Sequence, residues 1–193
     1  MFTETKNLLS EVAVKKVNFY KSGIIKYLIA SMWAGAYVGF GIFLIMTIGG
    51  LGSESNFPFT KMLMGLSFGI ALSLVIMAGS ELFTGNNMVM AFGAYDKQVS
   101  WKEAGKVWGV SYLGNFVGCA ILALLFVGAG ASGTADYFAG FIGNKLSIPL
   151  GQMFFRAVLC NFFVCLGVLC GMKLKSDAGR FLMIVMCISG FVV

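Results

Sequence analysis

Three runs in this chain carry no charged side chain over lengths that match the thickness of a lipid bilayer. Twenty-seven residues separate Lys26 from Glu54, nineteen separate Lys61 from Glu81, and twenty-nine separate Lys106 from Asp136; a membrane-spanning helix needs about 20. A fourth run, from Lys145 to Lys173, is interrupted only by Arg156, and the thirteen residues after Arg180 are uncharged. The reading is four full spans and one shortened span. Composition agrees, because 59% hydrophobic and 11% charged residues leave too little polar surface for a soluble domain, which carries about 25% charged residues. The expected fold class is an all-α integral membrane protein.

The 193 residues contain no histidine, which excludes within them a Ser/His/Asp triad or a His-liganded zinc site. Five cysteines, Cys119, Cys160, Cys165, Cys170 and Cys187, sit in apolar runs without CxxC spacing and read as buried inert thiols. No metal, cofactor or disulfide is expected, and an enzyme is the weakest functional class. The net charge of +6 does not indicate nucleic acid, because a nucleic-acid binder gathers its basic residues on one solvated face. Here they sort by topology. Eleven of the 14 basic residues fall within 6–26, 97–106 and 173–180, which are alternate connections of a chain threaded in and out, so the positive-inside rule places these and the N-terminus in the cytoplasm. Lys61, Lys145 and Arg156 are left for the outer face or the membrane. Residues 1–22 lack the apolar core of a signal peptide. Within residues 5–20, Leu8, Leu9, Val12, Ala13, Val17 and Tyr20 form one helical stripe, which suits either a helix lying in the interface or one packed over the end of a bundle.

The second apolar stretch is too long. Met62 to Tyr95 is 34 residues, about 50 Å as one helix against a hydrocarbon core about 30 Å thick. At its middle stands Ala78-Gly79-Ser80-Glu81-Leu82-Phe83-Thr84-Gly85-Asn86-Asn87, where two glycines, several polar side chains and a carboxylate predict a break. Non-helical backbone at membrane depth is tolerated only when buried in protein or lining a cavity, and two half-helices around a polar loop are a transporter and channel architecture. The first turn of the second half-helix, near Thr84 to Asn87, would offer positive potential to an anion. Glu81 is expected to staple the loop to neighbouring backbone amides, with Gly79 and Gly85 shaping the turn. Arg156 is expected in a structural pair, with Glu81 or a helix C-terminus. The pairs Gly35/Gly39, Gly65/Gly69, Gly105/Gly109 and Gly114/Gly118 predict close helix approaches.

Residues 78–85 resemble the signature loop of the formate/nitrite transporter family, bacterial channels for small monovalent anions, formate, nitrite and hydrosulfide among them. Leu159-Cys160-Asn161-Phe162-Phe163-Val164-Cys165-Leu166 is similar to that family's fourth-helix segment. The resemblance implies an aquaporin-like bundle of inverted three-helix repeats with a broken second helix. Residues 1–22 would form an interfacial amphipathic N-terminal helix and 23–193 the channel domain, divided into a first repeat at about 23–130 and an incomplete second one at about 146–193. It further implies a homopentamer in a bacterial inner membrane with one pore per protomer. Thr84 and Asn161 would line the pore, Lys145 would supply positive potential, and Phe68, Leu72, Leu82 and Phe191 would form apolar constrictions. The family's Gly-Phe-Glu-His loop has no counterpart up to Val193, so a C-terminal truncation is expected. Two other readings remain open: a pore for water or small neutral solutes, and a non-conducting scaffold or fragment.

Overall fold

The computed structural model describes residues 2–130, 133 and 135–192. Met1, Val193 and residues 131, 132 and 134, at the end of the third uncharged run, lie outside the described residues. Eight α-helices occur among the described residues and no strand: α1 (Phe2–Ser22), α2 (Ile24–Glu54), α3 (Thr60–Met77), α4 (Phe83–Tyr95), α5 (Trp101–Gly128), α6 (Ala135–Leu146), α7 (Leu150–Lys173) and α8 (Asp177–Val192). Helices α2, α3, α5 and α7 are long and apolar enough to cross a membrane. The second apolar stretch is broken as expected, into α3 and α4.

The bundle is organised by the crossing of α2 and α5. With lipid tails as apolar as leucine, membrane helices associate by close packing, and small residues let backbones approach. Gly35 of α2 faces the Asn115 carbonyl, and Gly118 of α5 faces the Met32 carbonyl; a Cβ at either position would collide with that oxygen. Gly39 is filled by Leu122 and Gly114 by Ser31. The Gly105/Gly109 pair differs from expectation, since nothing lies within 4 Å of a Cβ at either, and these glycines face away from the protomer core. On the other flank, α3 packs against α8 through Gly69 and Val185. Phe68, Ala71, Leu72, Val75, Ile184 and Ile188 complete a buried cluster there.

The N-terminal stripe is packed onto the bundle. Leu9, Ala13 and Val17 of α1 are buried with Val89, Met90 and Ala94 of α4 and Ala104 and Val107 of α5. Polar clasps surround this contact: Ser10 donates to Asp96 at 2.8 Å, Lys6 pairs with Asp96 and Lys21 with Glu103, and Lys173 donates to Thr5 at 2.8 Å. The three basic segments therefore share one end of the bundle. At that end Ser100 and Glu103 form a capping box that starts α5, satisfying two otherwise open N–H groups.

Lys6 and Ser10 hold the Asp96 carboxyl below the usual carboxylate range. A lowered pKa contributes stability above the unfolded value, about 3.9 for aspartate, and that contribution disappears as pH falls through the lower folded value. Hydrogen-exchange protection factors over residues 2–22 are therefore expected to stay level from pH 7 to about 5 and to fall on the acid side of about 4. Asp96→Asn should weaken protection at pH 7 itself.

Helix α6 is absent from the reading of the sequence, which placed Lys145 at the outer end of the fourth span. It packs Tyr137, Phe138 and Phe141 against the α2–α3 cluster, at the end opposite α1. Tyr137 lies over Gly49 and reaches Met64 Sδ at 3.9 Å. Two glycines, Gly140 and Gly143, and a length of 12 residues make it a weak helix by intrinsic propensity; the aromatic contacts decide its formation.

Candidate functional site

The break between α3 and α4 is built from one special backbone conformation and a set of hydrogen bonds. Gly79 has φ +74, left-handed territory that glycine enters freely; nothing lies within 4 Å of a Cβ there, so conformation rather than space requires glycine. The chain then extends to Leu82, which precedes α4 without a side-chain cap. Asn115 of α5 supplies the cap instead: its Oδ1 accepts from Phe83 N–H at 2.9 Å, while its Nδ2 donates to the carbonyls of Ser31 at 2.8 Å and Glu81 at 2.9 Å. Glu81 N–H donates to Ala30 at 3.3 Å. One amide side chain thus binds two backbone groups that the unwound segment would leave open at membrane depth, Phe83 N–H and the Glu81 carbonyl, and ties them to α2 through the Ser31 carbonyl.

Glu81 departs from expectation. Its carboxylate is held by side chains, not by backbone amides: Oε2 accepts from Lys16 Nζ at 2.7 Å, Tyr27 OH at 2.7 Å and Asn86 Nδ2 at 3.2 Å. The Lys16 and Glu81 side chains are only 18% and 13% exposed. The ammonium arrives from α1, which no pattern within residues 78–87 reveals. Arg156 is consequently no partner of Glu81; it is exposed on α7 and forms no ion pair among the described residues.

Across from the break, α7 approaches the first turn of α4. Gly85 is buried, and a Cβ there would lie 3.2 Å from Val168, so its role is close packing. One turn of α7 away, Cys165 Sγ lies 3.8 Å from the Thr84 carbonyl and 3.6 Å from Asn161 Nδ2. Thr84 and Asn161 are thus brought to either side of one sulfur. Asn161 Oδ1 is buried without a hydrogen-bond partner among the described residues. Asn161 and Cys165 line a cavity of about 410 Å³ with Met88, Val158, Phe162 and Leu166, an apolar wall carrying two polar groups.

Phe68, Leu72, Leu82 and Phe191 come together in the α2–α3–α8 cluster. Phe68 and Phe191 meet edge to face with centroids 5.8 Å apart, and Leu72 fills the space over Gly167 of α7. Lys145 is exposed at the end of α6 with its ammonium 5.0 Å from the Phe141 ring centroid.

The residues that shape the break but escaped the sequence reading are Asn115, Tyr27 and Lys16. Asn115 had a signal, being an amide inside a 29-residue uncharged run, where an unpartnered polar side chain is costly. Tyr27 and Lys16 had none. No group of three or more histidine, cysteine or acidic side chains able to hold a metal occurs among the described residues.

Comparison with known proteins matches the formate/nitrite transporter family profile to residues 3–193. The nitrite transporter NirC of Escherichia coli is 36% identical over 199 aligned residues, covering 100% of this chain and 71% of NirC. A solved FNT family ion channel superimposes with TM-score 0.90 at 33% identity, over 98% of this chain and 76% of that one. A pentameric formate channel with formate bound gives TM-score 0.81 at 26% identity, over 90% of this chain and 69% of that one.

Proposed function

The chain belongs to the formate/nitrite transporter family, and on that premise we propose that it forms a membrane channel for small monovalent anions of the formate and nitrite class. It is a multi-pass membrane protein. The observation that carries the proposal is the unwound segment at Gly79–Leu82, which leads into the first turn of α4, where Thr84 and Asn161 both approach Cys165, with its one carboxylate neutralised by Lys16. An anion sheds water only where donors replace its hydration. The Thr84 hydroxyl and the Asn161 amide serve as those donors, and the paired Glu81 adds no net negative charge to repel the cargo.

In this reading Phe68 with Phe191, and Leu72 with Leu82, are apolar constrictions that hold back hydrated ions. Lys145 attracts anions toward the α7 wall. The basic end carrying α1 faces the cytoplasm, residues 23–130 and 146–193 are related as inverted repeats, and the channel assembles as a homopentamer, a reading supported by the pentameric formate channel of similar structure.

Flux of nitrite and formate into proteoliposomes tests the proposal. The protein is expected to pass both, and water permeability without anion flux would overturn the reading. Lys145→Gln should lower anion flux about three- to tenfold at low ionic strength, with the deficit shrinking as salt screens the charge, and with unchanged thermal stability. Unchanged flux would make Lys145 an anchor only.

A further inference from the structure

Leu82, which the channel reading makes a constriction, is held on both sides by one side chain from another helix. Its backbone is extended, with φ −88° and ψ 126°, and in extended chain the carbonyl before a residue and the N–H after it point to the same side. Those two groups, the Glu81 carbonyl and the Phe83 N–H, are the ones Asn115 binds, through Nδ2 at 2.9 Å and Oδ1 at 2.9 Å. The second proton on Nδ2 goes to the Ser31 carbonyl of α2 at 2.8 Å. With two donors and an acceptor engaged, the amide fits only one way round: turned over, its oxygen would face two carbonyls and its nitrogen an N–H. Asn115 is itself fixed in place. Its own carbonyl lies against Gly35, and the preceding Gly114 packs on Ser31, so it stands at the close approach of α2 and α5. The residue after Leu82 is tied to the same helix, with the Phe83 ring 5.3 Å from that of Tyr112. The Leu82 side chain packs against the cluster that holds Phe68 and Leu72.

We propose that Asn115 is a positioning residue for anion selectivity: by holding the chain on either side of Leu82, it fixes how far that side chain reaches into the anion path. An apolar constriction tells anions apart by size, and formate and acetate differ by one methyl group. Rejecting the larger one requires a wall that does not give, because a single methylene in an apolar site is worth about 10- to 200-fold in discrimination. An unwound segment lacks the helical hydrogen bonds that would keep such a wall still. The Asn115 amide replaces them, carried by a helix crossing that leaves it no freedom of its own. The inference rests on the channel reading above, with Leu82 as a constriction, and adds to it a residue that acts through Leu82 while its own amide is engaged by backbone.

The test reconstitutes the protein in proteoliposomes and reads the flux of acetate relative to formate, a ratio that a smaller folded fraction leaves unchanged. Asn115→Gln keeps the amide but moves it one methylene out of register with residues 81 and 83. The acetate-to-formate ratio is expected to rise about three- to tenfold, the worth of one hydrogen bond. Leu82→Ala should raise the same ratio by at least as much. In the Leu82→Ala background Asn115→Gln should change it by less than about twofold, the signature of one residue acting through another. A ratio unchanged in Asn115→Gln but raised in Leu82→Ala overturns the proposal and leaves the channel reading standing. A full further rise in the Leu82→Ala background overturns it as well, because Asn115 would then act elsewhere. A ratio unmoved by Leu82→Ala, or no flux of either anion in the original protein, overturns the reading of the path and this proposal with it. Should Asn115→Gln lose its cooperative melting transition, Asn115→Asp takes its place: a carboxyl group donates to one carbonyl at most, so either the Glu81 end or the α2 anchor is lost. The ratio is then expected to rise about two- to fivefold, and a ratio equal to that of the original overturns the proposal.

Discussion

Gly118→Ala is expected to abolish the stably folded bundle, although it adds a single methyl group. The new Cβ would meet the Met32 carbonyl oxygen, with the carbonyl carbon at 2.6 Å and Cα at 2.8 Å. These are backbone atoms of a neighbouring helix, so no rotamer change relieves the overlap and α2 must move away from α5. That movement also separates Asn115 from Ser31, now joined at 2.8 Å, and with it the cap on α4. Overpacking of a close interface typically costs about 1–3 kcal/mol; here the loss of the Asn115 bonds to buried backbone adds about 1–3 kcal/mol for each group left open. A sum of that size approaches the whole stability of an ordinary domain, about 5–15 kcal/mol. Thermal melting in detergent should show a collapsed or absent transition and a loss of monodisperse protein. Gly109→Ala on the same helix, where nothing lies within 4 Å, is expected to leave the protomer intact and to gain up to about 1 kcal/mol of helix propensity. Destabilisation by Gly109→Ala would point to a contact from a neighbouring protomer.

The contrast between these two glycines marks what a sequence can and cannot disclose. Both belong to a small-xxx-small pair, and spacing alone gives them equal weight; only the placement of α2 over one and open space over the other separates them. Span lengths and the break at residues 78–82 were legible because they follow from bilayer thickness and local chemistry, which need no tertiary information. Thr84 and Asn161 were singled out through motif resemblance, and the fold brings the Thr84 carbonyl and the Asn161 amide each within reach of Cys165. The partners of Glu81 were not legible, because Lys16 and Tyr27 lie 65 and 54 positions away along the chain. Helix α6 was hidden for a different reason. Its glycines lower its propensity, and the apolar stripe that forms it acquires meaning only once α2 and α3 supply the surface it covers.

Glu81→Ala is expected to be the most damaging change at the break itself. It would leave the Lys16 ammonium, 18% exposed, without its counter-charge and the fully buried Tyr27 without the carboxylate that accepts its hydroxyl proton. Removing one partner of a buried pair typically costs about 3–5 kcal/mol. Lys16→Ala should cost less, because Tyr27 and Asn86 still donate to the carboxylate. The combined Lys16→Met, Glu81→Gln protein should recover part of the loss, since an amide oxygen still accepts from Tyr27 and no charge is left unpaired. Urea or thermal unfolding of the four proteins in detergent gives this order directly, and a Glu81→Ala protein as stable as the original would contradict it. The single change Glu81→Gln, added to this series, discriminates function. If Glu81 were a pore charge selecting cations, Glu81→Gln would shift ion selectivity and leave stability alone. With the carboxylate turned toward α1 and neutralised there, the expected outcome is the reverse: stability falls, and the folded fraction keeps its preference for anions.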